Sequence, residues 1–298
     1  MPEYPDIMVY IERLETFTIG QPVEKIRLGS PFFLRTAEPP IQEIEGLTVA
    51  GFERIGKRIV FRFQKELYLV LHLMVAGRLQ WRERNATVNR KIGLAALDFP
   101  HGTLMITEAG TKKRASLHLL QGKEKLRDFD RGGLNVLDST LEEFAQRLTL
   151  ENHTLKRTLT DPRLFDGIGN SYSDEILHHA RLSPAKLSQK MNEKEITRLW
   201  DACRIQLEQW TERLRKEAGD GFPKKVTAFR PDMAVHGKYN QPCPVCRTAV
   251  QRIRYADNET NYCPRCQTEG KLLSDRSLAR LLKQDWPRTI EELENRTR

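Results

Sequence analysis

The sequence contains no apolar run approaching the roughly 20 residues of a membrane-spanning helix. Its first residues lack the basic segment, apolar stretch and small-residue cleavage site of a secretory leader. No internal repeat or low-complexity stretch is present, so neither a solenoid nor a disordered tract is indicated. Cysteine is scarce: there are five, and four fall in two C-x2-C pairs, Cys243/Cys246 and Cys263/Cys266. That usage suits metal binding in a reducing compartment better than a disulfide framework. Cys203, alone on a helical pattern, reads as a buried core thiol. A cytoplasmic chain is expected.

What is abundant is charge. Lys plus Arg number 49 against 40 Asp plus Glu, a net +9 over 298 residues. The excess is spread over Lys112-Lys113-Arg114, Lys123/Lys125/Arg127, Lys156-Arg157 and Lys224-Lys225. Each run alone is ordinary solvated surface, but together they favour a polyanionic partner. The length allows two domains with real cores.

Ile7, Tyr10, Ile11 and Leu14 have helical spacing. From Val23 to about Leu119 the pattern changes to short apolar runs, such as Ile59 to Phe63, Tyr68 to Leu73 and Leu94 to Phe99. Pro, Gly and charged pairs separate them, which predicts a β-sandwich or barrel. Asp128 to Asn135 reads as a linker. Helical periods resume at Leu141 to Leu148, Leu155 to Leu159, Ser171 to His179 and Glu193 to Lys216. Between two of these lies Phe165-Asp166-Gly167-Ile168-Gly169-Asn170, whose glycines leave backbone N–H groups open at a helix start. Such a turn suits a phosphate, although on its own it reads first as a plain helix–helix connection.

Sixteen residues separate the two C-x2-C pairs, enough for a β-hairpin. Four thiolates in a tetrahedral array select zinc and leave no open position, so Cys243, Cys246, Cys263 and Cys266 predict one structural Zn2+.

With these pieces in order, the chain resembles the formamidopyrimidine-DNA glycosylase/endonuclease VIII (Fpg/Nei) family over about residues 1 to 267. The carriers are Met1-Pro2-Glu3, Gly56-Lys57, His72-Leu73 with Gly77, and Asp161 to Asn170; Tyr172, Glu175 and the finger Cys243 to Cys266 complete them. The resemblance implies an α+β multidomain fold. Its parts are an N-terminal β-sandwich with a leading helix (1–130), a helix-two-turns-helix domain (131–235), a four-cysteine β-hairpin zinc finger (236–268) and a helical extension (269–298).

The resemblance also implies base-excision repair by a DNA glycosylase with AP lyase activity. Pro2, freed by loss of Met1, attacks C1′ of a damaged nucleotide, and the iminium allows β/δ-elimination. Glu3 is the general acid. Lys57 favours the neutral amine and, with Asn170, holds phosphates flanking the target. Lys156, Gly169, His72, Met74, Val75, Arg252, Arg254 and Asn258 are carried over as DNA-facing positions. The partner implied is double-stranded DNA with a damaged base or abasic site, bound by a monomer associated with the nucleoid.

Three departures stand out. Asn258 occupies the place of the family's finger arginine, in Ala256-Asp257-Asn258-Glu259-Thr260, and Arg252 and Arg254 are the available substitutes. The wedge position holds Val75, with Met74 one residue early, and the loop Glu108 to Arg114 lacks an aromatic residue. Along a strand that single step reverses the face, so Met74 does not simply stand in for the wedge. The segment Gly219 to Val235 lacks the pattern of a lesion-capping loop. Past the finger, Ser277 to Asp285 reads as helical, and Pro287 with Thr289-x-x-Glu292 as a capping box opening a last short helix. These departures keep an alternative open, a non-catalytic binder of damaged or distorted DNA.

Overall fold

The computed structural model describes residues 1–224, 226–255, 258–274, 280–281 and 287–297. Two compact units are present: Met1–Arg131 with Trp210–Thr227, and Gly132–Gln209 with Ala228–Arg298.

The first unit opens with α1 (Tyr4–Thr18). Pro5 lies in the first turn, where its missing N–H leaves no helical bond unmade, and the Asp6 carboxylate accepts the Glu3 N–H at 3.0 Å. Two antiparallel four-stranded sheets follow. One has the order β1 (Lys25–Leu28), β6 (Gly93–Phe99), β7 (Gly102–Glu108), β5 (Gly77–Arg82). The other has the order β2 (Val49–Ile55), β3 (Arg58–Phe63), β4 (Leu67–His72), β8 (Ser116–Gln121). Alternate residues of both, including Ile59, Phe61, Leu69, Leu97 and Ile106, form one core with Ile7, Tyr10, Ile11 and Leu14 of α1. The helical stripe and the strand alternation read from the sequence thus meet in one interior.

Gly77 shows why the turn after β4 needs glycine. Its N–H donates to the Leu73 carbonyl at 2.9 Å, and a Cβ there would lie 2.2 Å from that same oxygen. Backbone cannot yield as a flexible side chain does, so Gly77→Ala is expected to cost about 2–3 kcal/mol. Urea unfolding of the variant against the parent chain checks it.

Residues 210–227, grouped by sequence with the helical domain, cluster instead with the sheets. Arg215 pairs with Glu12 at 2.7 Å, Arg13 donates to the Gly219 carbonyl at 2.9 Å, and Phe222 packs on Tyr10 with ring centroids 5.7 Å apart. These contacts connect residues some 200 positions apart, which local periodicity does not reveal.

The second unit carries α2 (Leu141–Thr149), α3 (Leu155–Thr160), α4 (Asn170–His179) and the start of α5 (Glu193–Ala218). The expected linker is tied down at its far end, where Leu134 exchanges backbone bonds with Leu164 (3.0 Å) and Asp166 (2.9 Å). The finger is a hairpin of β9 (Gln251–Tyr255) and β10 (Asn258–Tyr262), followed by α6 (Pro264–Thr268). Past it, α7 (Ile290–Thr297) begins as the capping pattern predicts, with Glu292 N–H donating to Thr289 Oγ1 at 3.3 Å. The Ile290 N–H donates to the Gly270 carbonyl at 2.9 Å and Leu272 N–H to that of Arg288 at 2.8 Å, so this part of the extension is bound to the end of the finger. The helix expected over 277–285 lies outside the described residues except at 280–281, which are helical.

Candidate functional site

The chain start is enclosed. Pro2 is buried and Glu3 is 1% exposed, fixed just ahead of α1 by the Asp6 bond. Lys57 lies in the two-residue turn joining β2 to β3, where Gly56 takes a left-handed φ of 62°. Arg54 braces that turn by donating to the Gly56 carbonyl at 2.7 Å, and its guanidinium stacks over the Tyr4 ring at 4.7 Å.

The amine of Met1, one residue ahead of Pro2, has its pKa lowered from the ordinary value of 8.0. Burial is the main cause; Glu3 opposes it, Arg78 adds to it, Asp6 opposes and Lys57 adds again. A chain-terminal amine held in such a buried setting, beside a buried carboxylate, is equipped to attack an electrophilic carbon and have a proton supplied nearby. Arg78 escaped the sequence reading. It donates to the carbonyls of Val226 (2.5 Å), Gly77 (2.6 Å) and Val75 (3.1 Å), so one side chain both braces the Val75 turn and contributes to the amine's field. Its only sequence signal was its place directly after Gly77.

The wedge positions require a correction. Met74 and Val75 are not on a strand but in the turn between β4 and β5, with Met74 at φ 51°. Face alternation therefore does not apply to them. Val75 is 56% exposed, whereas Met74 is half-buried. The neighbouring Glu108 is buried and accepts the N–H groups of Arg114 (2.9 Å) and Ala115 (3.2 Å), which shapes the exposed loop carrying Lys112 and Arg114.

His72 ends β4, paired in register with Arg58 and Ser116. Its pKa is pushed down to about 4, by burial first and then by Arg58, Lys57 and His118. Because the folded value lies below the unfolded 6.5, the unfolded chain takes up the proton first as pH falls. Stability from this site is complete above 6.5 and lost progressively down to about 4. At pH 5 the loss is about 2 kcal/mol. His72→Gln should flatten the difference between urea unfolding at pH 7 and pH 5 by about that amount.

In the second unit, α4 starts at the Gly167/Gly169 turn, with Gly169 as its cap residue. Asn170, its first residue, donates from Nδ2 to the Glu259 carbonyl of β10 at 2.9 Å. Lys156 does not present its ammonium outward. It donates to the Asn170 carbonyl (2.6 Å), Ser173 Oγ (2.8 Å) and Asp174 Oδ1 (2.5 Å), using all three protons inside the fold. Its geometry is that of a residue positioning Asn170 rather than one meeting phosphate. Asp174, fully buried, also accepts His236 Nδ1 (2.8 Å) and the Asn261 N–H (3.1 Å). Glu175 accepts three successive N–H groups, from Ala234, Val235 and His236, at 2.7–2.9 Å. Adjacent carboxylates on α4 thus hold the finger hairpin and the segment leading into it.

The four cysteine Sγ atoms lie within 4.8 Å of one another. A tetrahedral four-thiolate zinc centre with bonds of ~2.3 Å has S–S separations of ~3.8 Å. The donor set therefore fits one structural zinc ion held by Cys243, Cys246, Cys263 and Cys266. His178 Nε2 lies 3.3 Å from Cys243 Sγ, placed to donate to a ligand thiolate. On the hairpin, Asn258 is exposed, and Arg252 and Arg254 both pair with Glu259, at 3.4 and 3.0 Å.

Comparison with known proteins agrees with this geometry. Residues 1–115 match the formamidopyrimidine-DNA glycosylase N-terminal domain, 135–215 its H2TH domain, and 240–268 a zinc finger found in FPG and IleRS. An uncharacterised formamidopyrimidine-DNA glycosylase-like protein of Mycobacterium tuberculosis is 37% identical over 151 residues, 51% of this chain and 94% of that protein. The chain belongs to the formamidopyrimidine-DNA glycosylase family. The formamidopyrimidine-DNA glycosylase of Thermus thermophilus is 29% identical over 282 residues, covering 91% of this chain and all of that one. A crystal structure of the Lactococcus lactis family enzyme with DNA containing an oxidised pyrimidine superposes with TM-score 0.79 at 25% identity, covering 90% of this chain and 100% of that chain. The β-sandwich, H2TH helices and finger hairpin are those of the family, whose function is that of a DNA glycosylase. Among the described residues no helix is long and apolar enough to cross a membrane.

Proposed function

We propose that this chain is a bifunctional DNA glycosylase/AP lyase acting on double-stranded DNA with a damaged base or abasic site, at the nucleoid, as a monomer. Its nucleophile is the amine of Pro2, exposed when Met1 is removed. The observation that carries the reading is the buried chain start, where Pro2 and Glu3 are both enclosed and burial already lowers the pKa of the Met1 amine just ahead of them. The nitrogen lone pair attacks C1′ and the C1′–N bond to the base breaks, the base leaving with a proton that Glu3 can supply. The nitrogen gives up its own proton and the C1′–O4′ bond breaks, O4′ leaving protonated as the sugar ring opens to an iminium. The iminium acidifies the C2′ proton, whose loss expels the 3′-phosphate in β-elimination. A second elimination, of the 5′-phosphate, completes the β/δ sequence.

Lys57 and Asn170 serve as phosphate holders, a point charge and a directed amide. Lys156 supports Asn170 from within. DNA containing an oxidised pyrimidine is bound by the Lactococcus lactis relative, and we take the same substrate class for this chain. The exposed Val75 is a small wedge for a flipped base, which favours substrates already distorted, since opening an intact stack costs a few kcal/mol.

Borohydride trapping on a duplex with one abasic site tests the proposal. A covalent protein–DNA adduct is expected with the processed chain and not with Pro2→Gly. Measurable binding without an adduct would leave a recognition protein that does no chemistry, the reading that Asn258 and Val75 otherwise favour.

A further inference from the structure

We propose that Glu259 is an internal competitor for DNA phosphate, its side chain seated in a cradle formed by Arg252, Arg254 and Asn261. The inference rests on the DNA-binding part of the reading above and not on the amine chemistry.

In the hairpin register Glu259 lies opposite Arg254, and Asn261 opposite Arg252. Cross-strand partners and residues two apart share a face, so these four side chains form one polar cluster. Glu259 Oε2 accepts from Arg254 Nε at 3.0 Å and Arg252 Nη1 at 3.4 Å, and Oε1 accepts from Asn261 Nδ2 at 3.0 Å. Its main-chain carbonyl accepts Asn170 Nδ2 at 2.9 Å. Two guanidinium groups and one side-chain amide converging on one anion is the donor set that grips a backbone phosphate, with the Asn170 amide on the carbonyl beside it. Arg252 is further oriented by stacking over the Tyr239 ring at 3.9 Å. The cluster is not sealed: the Glu259 and Arg252 side chains are each 29% exposed and Arg254 is 59% exposed.

A phosphate entering this cradle must displace the carboxylate, or share the arginines with it at the cost of like-charge repulsion. Glu259 therefore lowers affinity for DNA by offsetting the two cations that could make up for Asn258. A purely structural Glu259 predicts the opposite sign, because removing its bonds would loosen the hairpin and weaken binding.

The test is equilibrium binding of a short undamaged duplex across a salt series, using Glu259→Gln, Arg254→Gln and the double variant. Zinc content and thermal unfolding report on folding. Competition predicts that Glu259→Gln binds roughly tenfold tighter at moderate salt, with the log–log salt slope steeper by about 1. It also predicts that Arg254→Gln costs more affinity in the Glu259→Gln background than in the parent chain. Unchanged or weaker binding by a zinc-replete Glu259→Gln protein overturns the proposal. So does a gain from Glu259→Gln that is undiminished in the Arg254→Gln background. Failure to trap a covalent adduct overturns the lyase reading and leaves this one standing, since binding needs no reaction.

Discussion

A preparation retaining Met1 should form no trapped adduct with abasic DNA and should cleave it slower by on the order of a thousandfold or more. Methionine in front of Pro2 ties the nucleophilic nitrogen into a peptide bond, where its lone pair is delocalised. Binding should change far less, because the positively charged positions remain. For the processed chain, the pH dependence of trapping carries the electrostatic signature of the site. Only the neutral amine attacks, so the rate rises with pH and levels off above the amine pKa. Burial, Arg78 and Lys57 lower the pKa of the Met1 amine against the pull of Glu3 and Asp6; Pro2 is buried one residue along, so its midpoint should lie below that of an exposed prolyl amine. Arg78→Gln removes one of the opposing cations, and its midpoint should move to higher pH. A profile still rising steeply at pH 9, or a midpoint indifferent to Arg78, would show that the amine is not held in this field. Mass measurement of the intact chain confirms which residue stands first.

Much of this site could be read before any coordinates, and the reason is chemical. Pro2, Glu3, Gly56-Lys57 and the four cysteines lie in short local motifs, where identity and spacing carry the requirement. The helical stripe of α1 and the alternation of β3 and β4 were likewise legible, because burial imposes a period on neighbouring residues. What escaped depends on contacts between distant positions. Lys156 looked like surface charge until Asn170, Ser173 and Asp174 were seen to take its protons. Arg252 and Arg254 looked like substitutes for the missing finger arginine, whereas the register sets Glu259 against them. Met74 and Val75 were read with strand periodicity although Gly77 closes a turn around them. In each case the residue type was right and its partner was not visible in the local pattern.

Zinc removal should have the second large effect. The finger hairpin has only five-residue strands, and its small apolar cluster of Val235, Cys243, Val250 and Cys263 includes two of the ligands. Such a segment cannot fold on that core alone. Metal binding to comparable peptides supplies ~10–16 kcal/mol near neutral pH, and that energy is folding energy. Stripping the ion, or Cys263→Ser, should therefore unravel the hairpin and with it the Asn170 bond to the Glu259 carbonyl and the Asp174 bond to the Asn261 N–H. Asn170 then loses its fixed orientation, and Arg252 and Arg254 lose their common face. DNA affinity is expected to fall at least about a hundredfold at moderate salt, since several phosphate contacts vanish together. Restoring Zn2+ should recover binding in the stripped parent chain and not in Cys263→Ser. The dependence on acid has a defined sign as well. Ligand thiolates must be deprotonated to hold the metal, so zinc release should accelerate as pH falls, followed by a colorimetric chelator. Retention of full affinity by a metal-free protein would mean that the hairpin is held by its contacts to α4 and the extension rather than by zinc.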